Sequence, residues 1–273
     1  MALNMAPVIK SAELPGKVVL PYVEQGDVSG VPVLFLHAIA DSWHAFERLL
    51  PHLPGYIHAI ALTQRGHGDA SRPEVGYRPR DFAADLLVFM DILQLEAAVI
   101  IGGSSGGIIA RRFAIDHPER TLGLVLLGSP FTLKDKPGPQ ELWNSIISKM
   151  TDPVDPRMVR EFAEDTLAQP VPQDFLEMLV QENLKVPARV WKATFKGLME
   201  DDSSEELNKI RAPTLIIWGD RDAFLPLSDQ KALTEAISCS QFVVYPGGGH
   251  AFYWEEPVRV ASDIVAFIEE IAD

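Results

Sequence analysis

Val99-Ile100-Ile101-Gly102-Gly103-Ser104-Ser105-Gly106-Gly107-Ile108-Ile109-Ala110 decides how the rest of the chain is read. Three β-branched apolar residues run into a Gly/Ser cluster, and an apolar segment follows at once. That order predicts a buried strand, a tight turn and a helix packed back on the sheet. Gly102-x-Ser104-x-Gly106 fits a turn that holds a serine at a strained strand-to-helix bend. A Cβ two residues to either side of that serine would collide with the neighbouring strand or helix, and glycine adopts the backbone angles of the bend at low cost. Gly103-x-Ser105-x-Gly107 fits the same pattern. Ser104 is preferred because its frame lets the first glycine end the strand and leads from the second glycine pair into the helix. Ser105 then offers its N–H at the helix N-terminus to a developing oxyanion. A plain Gly/Ser turn and a phosphate-binding loop are the competing readings. No Lys follows as in a P-loop, and the glycine spacing is not that of a dinucleotide fingerprint.

Outward from this stretch, short apolar runs alternate with segments of helical period. Strands are predicted at Val18–Val23, Val33–Leu36, Ile57–Leu62, Leu122–Leu127, Thr214–Trp218 and Gln241–Tyr245, with Pro21 suggesting an edge position for the first. Residues up to about Lys10 read as a loose arm. Asp41 or Ser42 is a candidate cap for a helix through Leu50, stopped by Pro51 and Pro54. Further helices are predicted over Arg80–Leu95, Gly106–Asp116, Ser228–Ile237 and Pro257–Ile271. From Phe131 to about Ile210 the strand pattern vanishes. Four helical stretches occupy it, Pro139–Met150, Pro156–Gln169, Pro172–Val186 and Pro187–Met199, each with Pro near its first turn, where the missing N–H does no harm. The alternation implies an α/β fold with a mainly parallel sheet flanked by helices. The all-helical stretch reads as an inserted cap across the C-terminal strand ends, where open α/β sheets place their sites. The expected organisation is a core in two parts, 1–130 and 211–273, around a cap at 131–210.

A serine hydroxyl needs a neighbouring base to take its proton. Of seven histidines, His250 in Gly247-Gly248-Gly249-His250-Ala251-Phe252 is the best candidate, because it follows the last predicted strand at the edge where the serine turn lies. A surface loop histidine is the competing reading. The base needs an orienting carboxylate, and Gly219-Asp220-Arg221-Asp222 follows another strand at that edge. Asp222 is chosen, with Asp220 assigned to loop backbone N–H groups. The loop Gly128-Ser129-Pro130 carries no carboxylate. The order Ser104, Asp222, His250 is nucleophile, acid, base.

From about Val18 onward the chain resembles the α/β-hydrolase superfamily, in its capped branch with a serine nucleophile. The resemblance is carried by Leu36-His37-Ala38-Ile39, Arg65-Gly66-His67-Gly68, Gly102 to Gly107, Gly219-Asp220-Arg221-Asp222 and Gly249-His250, five motifs in family order. It implies that Ile39 donates the second oxyanion N–H, opposite Ser105. Two departures matter. The family usually has His-Gly where this chain has His37-Ala38, which restricts the backbone beside Ile39. Thr63 stands where many relatives carry Asp, a change expected to alter loop hydrogen bonding. His37 and His67 are read as loop braces, and His44, His52, His58 and His117 as surface or cap residues.

The cap supplies Trp143, Phe162, Phe175, Met178, Trp191, Phe195 and Met199, most of them expected to pack helices together. Trp143, Trp191 and Phe195, with Phe252 beyond the cap, are the candidate lining of a largely apolar pocket. No spacing of His with carboxylates suits a metal, so neither metal nor cofactor is expected. With 24 Lys and Arg against 38 Asp and Glu, the net charge of −14 argues against nucleic acid and anionic membrane surfaces as partners. An apolar share of 47% and a charged share of 23% are those of an ordinary globular protein. The single cysteine, Cys239, allows no intrachain disulfide. Residues Met1 to Ser11 lack the apolar core of a signal peptide, and no segment reaches membrane-span length; a cytoplasmic protein, compatible with a homodimer, is the expectation.

The leading functional expectation is a serine hydrolase that cleaves a small, partly apolar ester or lactone through an acyl-enzyme. The resemblance admits two alternatives with the same triad, a carbon–carbon bond hydrolase and a cofactor-free haloperoxidase acting by perhydrolysis. A ligand-binding protein with vestigial hydrolysis is the alternative from another class, supported by Ala38 alone.

Overall fold

The computed structural model describes residues 8–272. Eight strands form one sheet: β1 (Ile9–Leu14), β2 (Val18–Gln25), β3 (Val31–Leu36), β4 (Ile57–Leu62), β5 (Ala98–Gly103), β6 (Thr121–Leu127), β7 (Thr214–Gly219) and β8 (Ser240–Tyr245). Their order across the sheet is β1-β2-β4-β3-β5-β6-β7-β8. β1–β2 and β2–β4 pair antiparallel, and every other neighbouring pair is parallel. The parallel strands are apolar on both faces because both faces are covered. Alternate residues divide between two cores. Leu34, Ile60, Ile100, Leu124 and Ile216 pack with Phe82, Phe89 and Phe113 on one side, whereas Val33, Phe35, Ile101, Val125 and Ile217 pack with Val260, Ile264 and Phe267 on the other.

The helices that cover these faces are α1 (Pro79–Ile92), α2 (Ser105–Asp116) and, after the last strand, α9 (Pro257–Ala272). Between β6 and β7 in the chain lie α3 (Pro137–Ser145), α4 (Pro156–Glu164), α5 (Gln173–Leu184) and α6 (Ala188–Glu200), with no strand among them. α7 (Leu227–Ala236) joins β7 to β8, and α8 (Phe252–Glu255) is a single turn that starts two residues after His250. Among the described residues no helix is long and apolar enough to cross a membrane.

Several expectations need correcting. The end of the expected loose arm is not loose: Ile9 and Lys10 begin the edge strand β1 (Ile9–Leu14), and residues 1–7 of that arm lie outside the described residues. Only Ala12 and Leu14 of β1 are buried, so the strand shows little apolar alternation. β2 is therefore not the edge despite Pro21. Its ladder to β4 starts at Tyr22, so the N–H that Pro21 lacks is not needed there, while the Pro21 carbonyl accepts from Thr63 N at 2.7 Å. The helix expected up to Leu50 is two 3₁₀ turns, Trp43–Phe46 and Leu50–His52. Ser42 does cap the first, accepting from His44 N at 3.3 Å, and Pro51 restarts the chain at the second. The helix begun at Pro156 stops at Glu164 rather than Gln169. The four-residue α8 is too short to leave a helical period in the sequence.

Candidate active site

The turn after β5 bends at Ser104, whose φ of 48° and ψ of −119° lie outside ordinary helix and strand geometry. A non-glycine residue there costs on the order of 1–3 kcal/mol and persists only where its surroundings impose it. Here the Ser104 N–H is held by the Leu127 carbonyl at the end of β6 (2.8 Å), and the Ser104 carbonyl accepts from Gly107 N (2.9 Å). The flanking glycines are needed for space. A Cβ on Gly102 would lie 2.4 Å from the Gly106 carbonyl oxygen, and one on Gly106 would lie 2.3 Å from that of Leu36. The bend therefore presents the Ser104 side chain beyond the strand ends. Ser105 is already the first residue of α2.

His250 follows β8, and Asp222 follows β7. In a parallel sheet these loops leave the same edge as the loop after β5. His250 Nε2 lies 2.8 Å from Ser104 Oγ, and its Nδ1 lies 2.8 Å from Asp222 Oδ2. An ionised carboxylate only accepts, so Nδ1 carries the proton and Nε2 is left to accept from the Ser104 hydroxyl. The Asp222 side chain is fully buried. Its other oxygen, Oδ1, accepts from Phe224 N (2.8 Å) and Leu225 N (2.9 Å), which fixes the carboxylate plane. Asp220 accepts from Gly247 N at 2.7 Å and so ties the β7 and β8 loops together.

Facing the bend is the loop after β3. As the first residue of α2, Ser105 has a backbone N–H outside the helical ladder, with no acceptor among the described residues. The Ile39 N–H, the other expected oxyanion donor, is not open in the same way: it donates to Ser105 Oγ at 2.8 Å. A ligand oxygen must displace or share that contact. Ala38 is not among the residues with positive φ; in this loop the positive φ falls two residues later, on Ala40 (70°). His37 and His67 brace the loops beneath. His37 Nδ1 donates to the Ala38 carbonyl (2.7 Å), and its Nε2 accepts from Gln64 N (2.9 Å). His67 Nδ1 donates to the Arg65 carbonyl (2.8 Å). Burial keeps both rings neutral, pushing His67 down to about 4 and His37 well below its ordinary range. Thr63 Oγ1 accepts from Trp43 N at 3.2 Å, so the residue in the usual Asp position still serves loop hydrogen bonding.

Above Ser104 is a cavity of about 280 Å³, lined by Ile39, Ser105 and His250 from the strand-end loops and by Leu142, Phe162, Thr166, Phe195 and Leu198 from the helical segment and its connections. Of the four expected lining residues, Phe195 is there. Trp143, Trp191 and Phe252 are not. Trp143 stacks behind Phe195, centroids 6.4 Å apart with the planes at 8°. Trp191 is fully buried edge-on against Phe162, 5.5 Å away. Phe252 is core, packed against Tyr245 at 5.0 Å. Among the lining residues missed is Phe224, whose ring lies 5.2 Å from that of His250. Its position two residues after Asp222, in the same strand-end loop, was the available signal.

Sequence reasoning also missed a buried polar group beside the bend. Asp41 is buried and accepts from Asn183 Nδ2 at 3.1 Å. Burial pushes its carboxyl up to about 7, against the hydrogen bond from Asn183 and with a contribution from Glu182. Among the described residues no group of three or more His, Cys, Asp or Glu is arranged to hold a metal ion.

Comparison with known proteins agrees with this architecture. The family model for the alpha/beta hydrolase fold matches residues 31–257. A 2-hydroxymuconate semialdehyde hydrolase of Pseudomonas sp. strain CF600 is 28% identical over 256 residues, covering 89% of this chain and 88% of that protein. A non-heme chloroperoxidase of Streptomyces lividans is 25% identical over 265 residues, covering 91% and 95%. Among solved structures, an esterase from Exiguobacterium antarcticum superposes with a TM-score of 0.87 at 22% identity, covering 96% of this chain and all of that one.

Proposed function

The chain belongs to the α/β-hydrolase family, and from that premise we propose that it is a serine hydrolase of a small, partly apolar carboxylic ester or lactone. One observation carries the reading: the hydrogen-bonded chain Ser104–His250–Asp222 ends at the floor of an apolar cavity. Ser104 Oγ attacks the carbonyl carbon as its proton passes to His250 Nε2. The tetrahedral oxyanion takes the Ser105 N–H and the Ile39 N–H, the latter released from Ser105 Oγ. Collapse breaks the bond to the leaving alcohol, which receives the proton from His250. Asp222 holds the imidazole in the productive tautomer and stabilises its charged form. Water then repeats the sequence and frees the acid. The segment 131–210 acts as a cap whose apolar side chains select the acyl or alkoxy part.

The test is a panel of esters and lactones run on the wild type and on Ser104→Ala. The variant is expected to lose roughly 10⁴-fold or more of kcat. An organophosphate should label the wild type at Ser104 alone. Full turnover by Ser104→Ala, with Ser105→Ala inactive, would move the nucleophile to the neighbouring serine.

A second reading keeps the triad and lets hydrogen peroxide replace water in the second half-reaction. The likeness to the Streptomyces chloroperoxidase favours it. Halide oxidation in peroxide and acetate, absent in Ser104→Ala, would mark it.

A further inference from the structure

A second, smaller chamber adjoins the site. It has a volume of about 40 Å³ and shares Ile39, Ser104, Phe162, Thr166 and His250 with the larger cavity. Its remaining wall includes Asp41, Asn183, Tyr253 and Trp254, which do not touch the larger one. It cannot take an acyl chain. A water molecule needs roughly 10–15 Å³ of such space, so the chamber suits about three molecules of that size at most.

Its wall is polar in a specific way. Asp41 uses one carboxylate oxygen on Asn183; the other has no hydrogen-bond partner among the described residues. The hydroxyl of Tyr253, a residue only 2% exposed, makes no hydrogen bond among them either. Buried polar groups are nearly always satisfied, by protein or by ordered water. Two such groups, Asp41 and Tyr253, on the wall of one small space adjoining the nucleophile and the base call for a small ligand that both donates and accepts hydrogen bonds.

We propose that this chamber is the binding site of the small nucleophile, water, that cleaves the acyl-enzyme, with Asp41 and Tyr253 as its positioning residues. The inference rests on the acyl-enzyme reading above. While the acyl group fills the larger cavity, water reaches the ester carbon from the chamber side. Its oxygen bonds to that carbon as one proton goes to His250 Nε2. The tetrahedral intermediate then breaks the bond to Ser104 Oγ, which takes the proton back from His250. The water keeps its second proton, and the product leaves as the carboxylic acid.

The experiment separates the two half-reactions with p-nitrophenyl acetate. Nitrophenol release in the first turnover reports acylation, and mass spectrometry follows the lifetime of the acetyl adduct on Ser104. Asp41→Leu replaces the carboxylate with an apolar side chain. Tyr253→Phe removes one hydroxyl and keeps the ring, so it tests the chamber even if Asp41→Leu folds poorly. The adduct is expected to decay about 10-fold more slowly in Asp41→Leu and about threefold more slowly in Tyr253→Phe, while kcat/KM, which reports acylation, stays within about twofold. Adducts that decay at the wild-type rate in both variants overturn the proposal, as does a fall of kcat/KM in step with kcat. A wild type that forms no adduct at all overturns the serine hydrolase reading and this inference together.

Discussion

Two walls meet at Ser104, and they are built on different principles. The strand-end wall, made by the loops after β3, β5, β7 and β8, is polar, and backbone hydrogen bonds fix it almost atom by atom. Leu127 holds Ser104, Phe224 and Leu225 hold Asp222, and Gln64 and Ala38 hold His37. The helical wall offers Leu142, Phe162, Phe195 and Leu198, apolar side chains placed by packing. A polar contact of 2.8 Å has one workable geometry. An apolar surface tolerates many, provided volume is conserved. On the proposed reading the first wall carries the chemistry and the second the selection, and the two should respond to mutation by different amounts and in different observables.

The sharpest break is expected at Asp222. In Asp222→Asn one amide oxygen can still accept from Phe224 N and Leu225 N, which leaves the amide NH₂ facing His250. That favours the tautomer with the proton on Nε2, where it cannot accept from Ser104. kcat on p-nitrophenyl acetate near pH 7 should fall roughly 10⁴-fold, by analogy with the same change in a serine protease triad, with the fold intact. A loss below about tenfold would show that the strand-end wall does not work through His250 orientation.

The walls are also joined, and the joint is ionisable. Asp41 belongs to the strand-end wall and Asn183 to α5. Burial raises the Asp41 carboxyl to about 7, against about 3.9 for an unfolded aspartate. The folded chain thus holds this proton more tightly than the unfolded one. The neutral side chain costs nothing below about pH 4. Between there and about pH 7 the unfolded state gains by ionising, so stability falls as pH rises and is level above. Asp41→Asn cannot ionise and lacks this slope. Its stability relative to wild type, from urea denaturation, should rise by on the order of 2 kcal/mol between pH 4.5 and pH 8, less than the full shift allows because water in the chamber would solvate the carboxylate. His37 and His67, neutral and buried, destabilise both proteins alike as pH falls through 6.5 toward 4 and cancel in the difference. A difference independent of pH would mean that Asp41 is ionised throughout.

What could be read from the chain divides along the same line. Gly102 and Gly106 announce the turn around Ser104, because a Cβ on either would lie 2.3–2.4 Å from a neighbouring backbone carbonyl oxygen. The parallel strands announce themselves because both faces are buried. Asp222 and His250 were recognisable from strand-end loops at one edge of the sheet. The same logic had nothing to say about which helix face turns inward. Trp191 and Phe195 are four residues apart on α6, on the same face, yet one packs behind Phe162 and the other lines the cavity. Helical period reports an apolar face but not whether a cavity or another helix meets it. The Asp41 pocket escaped notice for a related reason. A lone Asp before Ser42 and Trp43 reads as a helix cap, and only the tertiary contact with Asn183, 142 positions later, buries it.

The smallest effect tests the helical wall by itself. Phe195 touches the cavity, and Trp143 stacks parallel behind it. Phe195→Ala enlarges the space above Ser104 and removes apolar contact area, so the ratio of kcat/KM for a hexanoyl over an acetyl p-nitrophenyl ester should shift by about 10-fold, the scale of a small change in a hydrophobic pocket. kcat on the acetyl ester should hold, because the strand-end wall is untouched. Trp143→Phe keeps an aromatic ring against Phe195 and should move the ratio by less than about threefold, since it acts only through its neighbour. If Trp143→Phe instead shifts the ratio as much as Phe195→Ala, the selecting surface is the stacked pair as a unit. If both leave the ratio unchanged and lower kcat on every ester, selection and chemistry are not divided between the two walls.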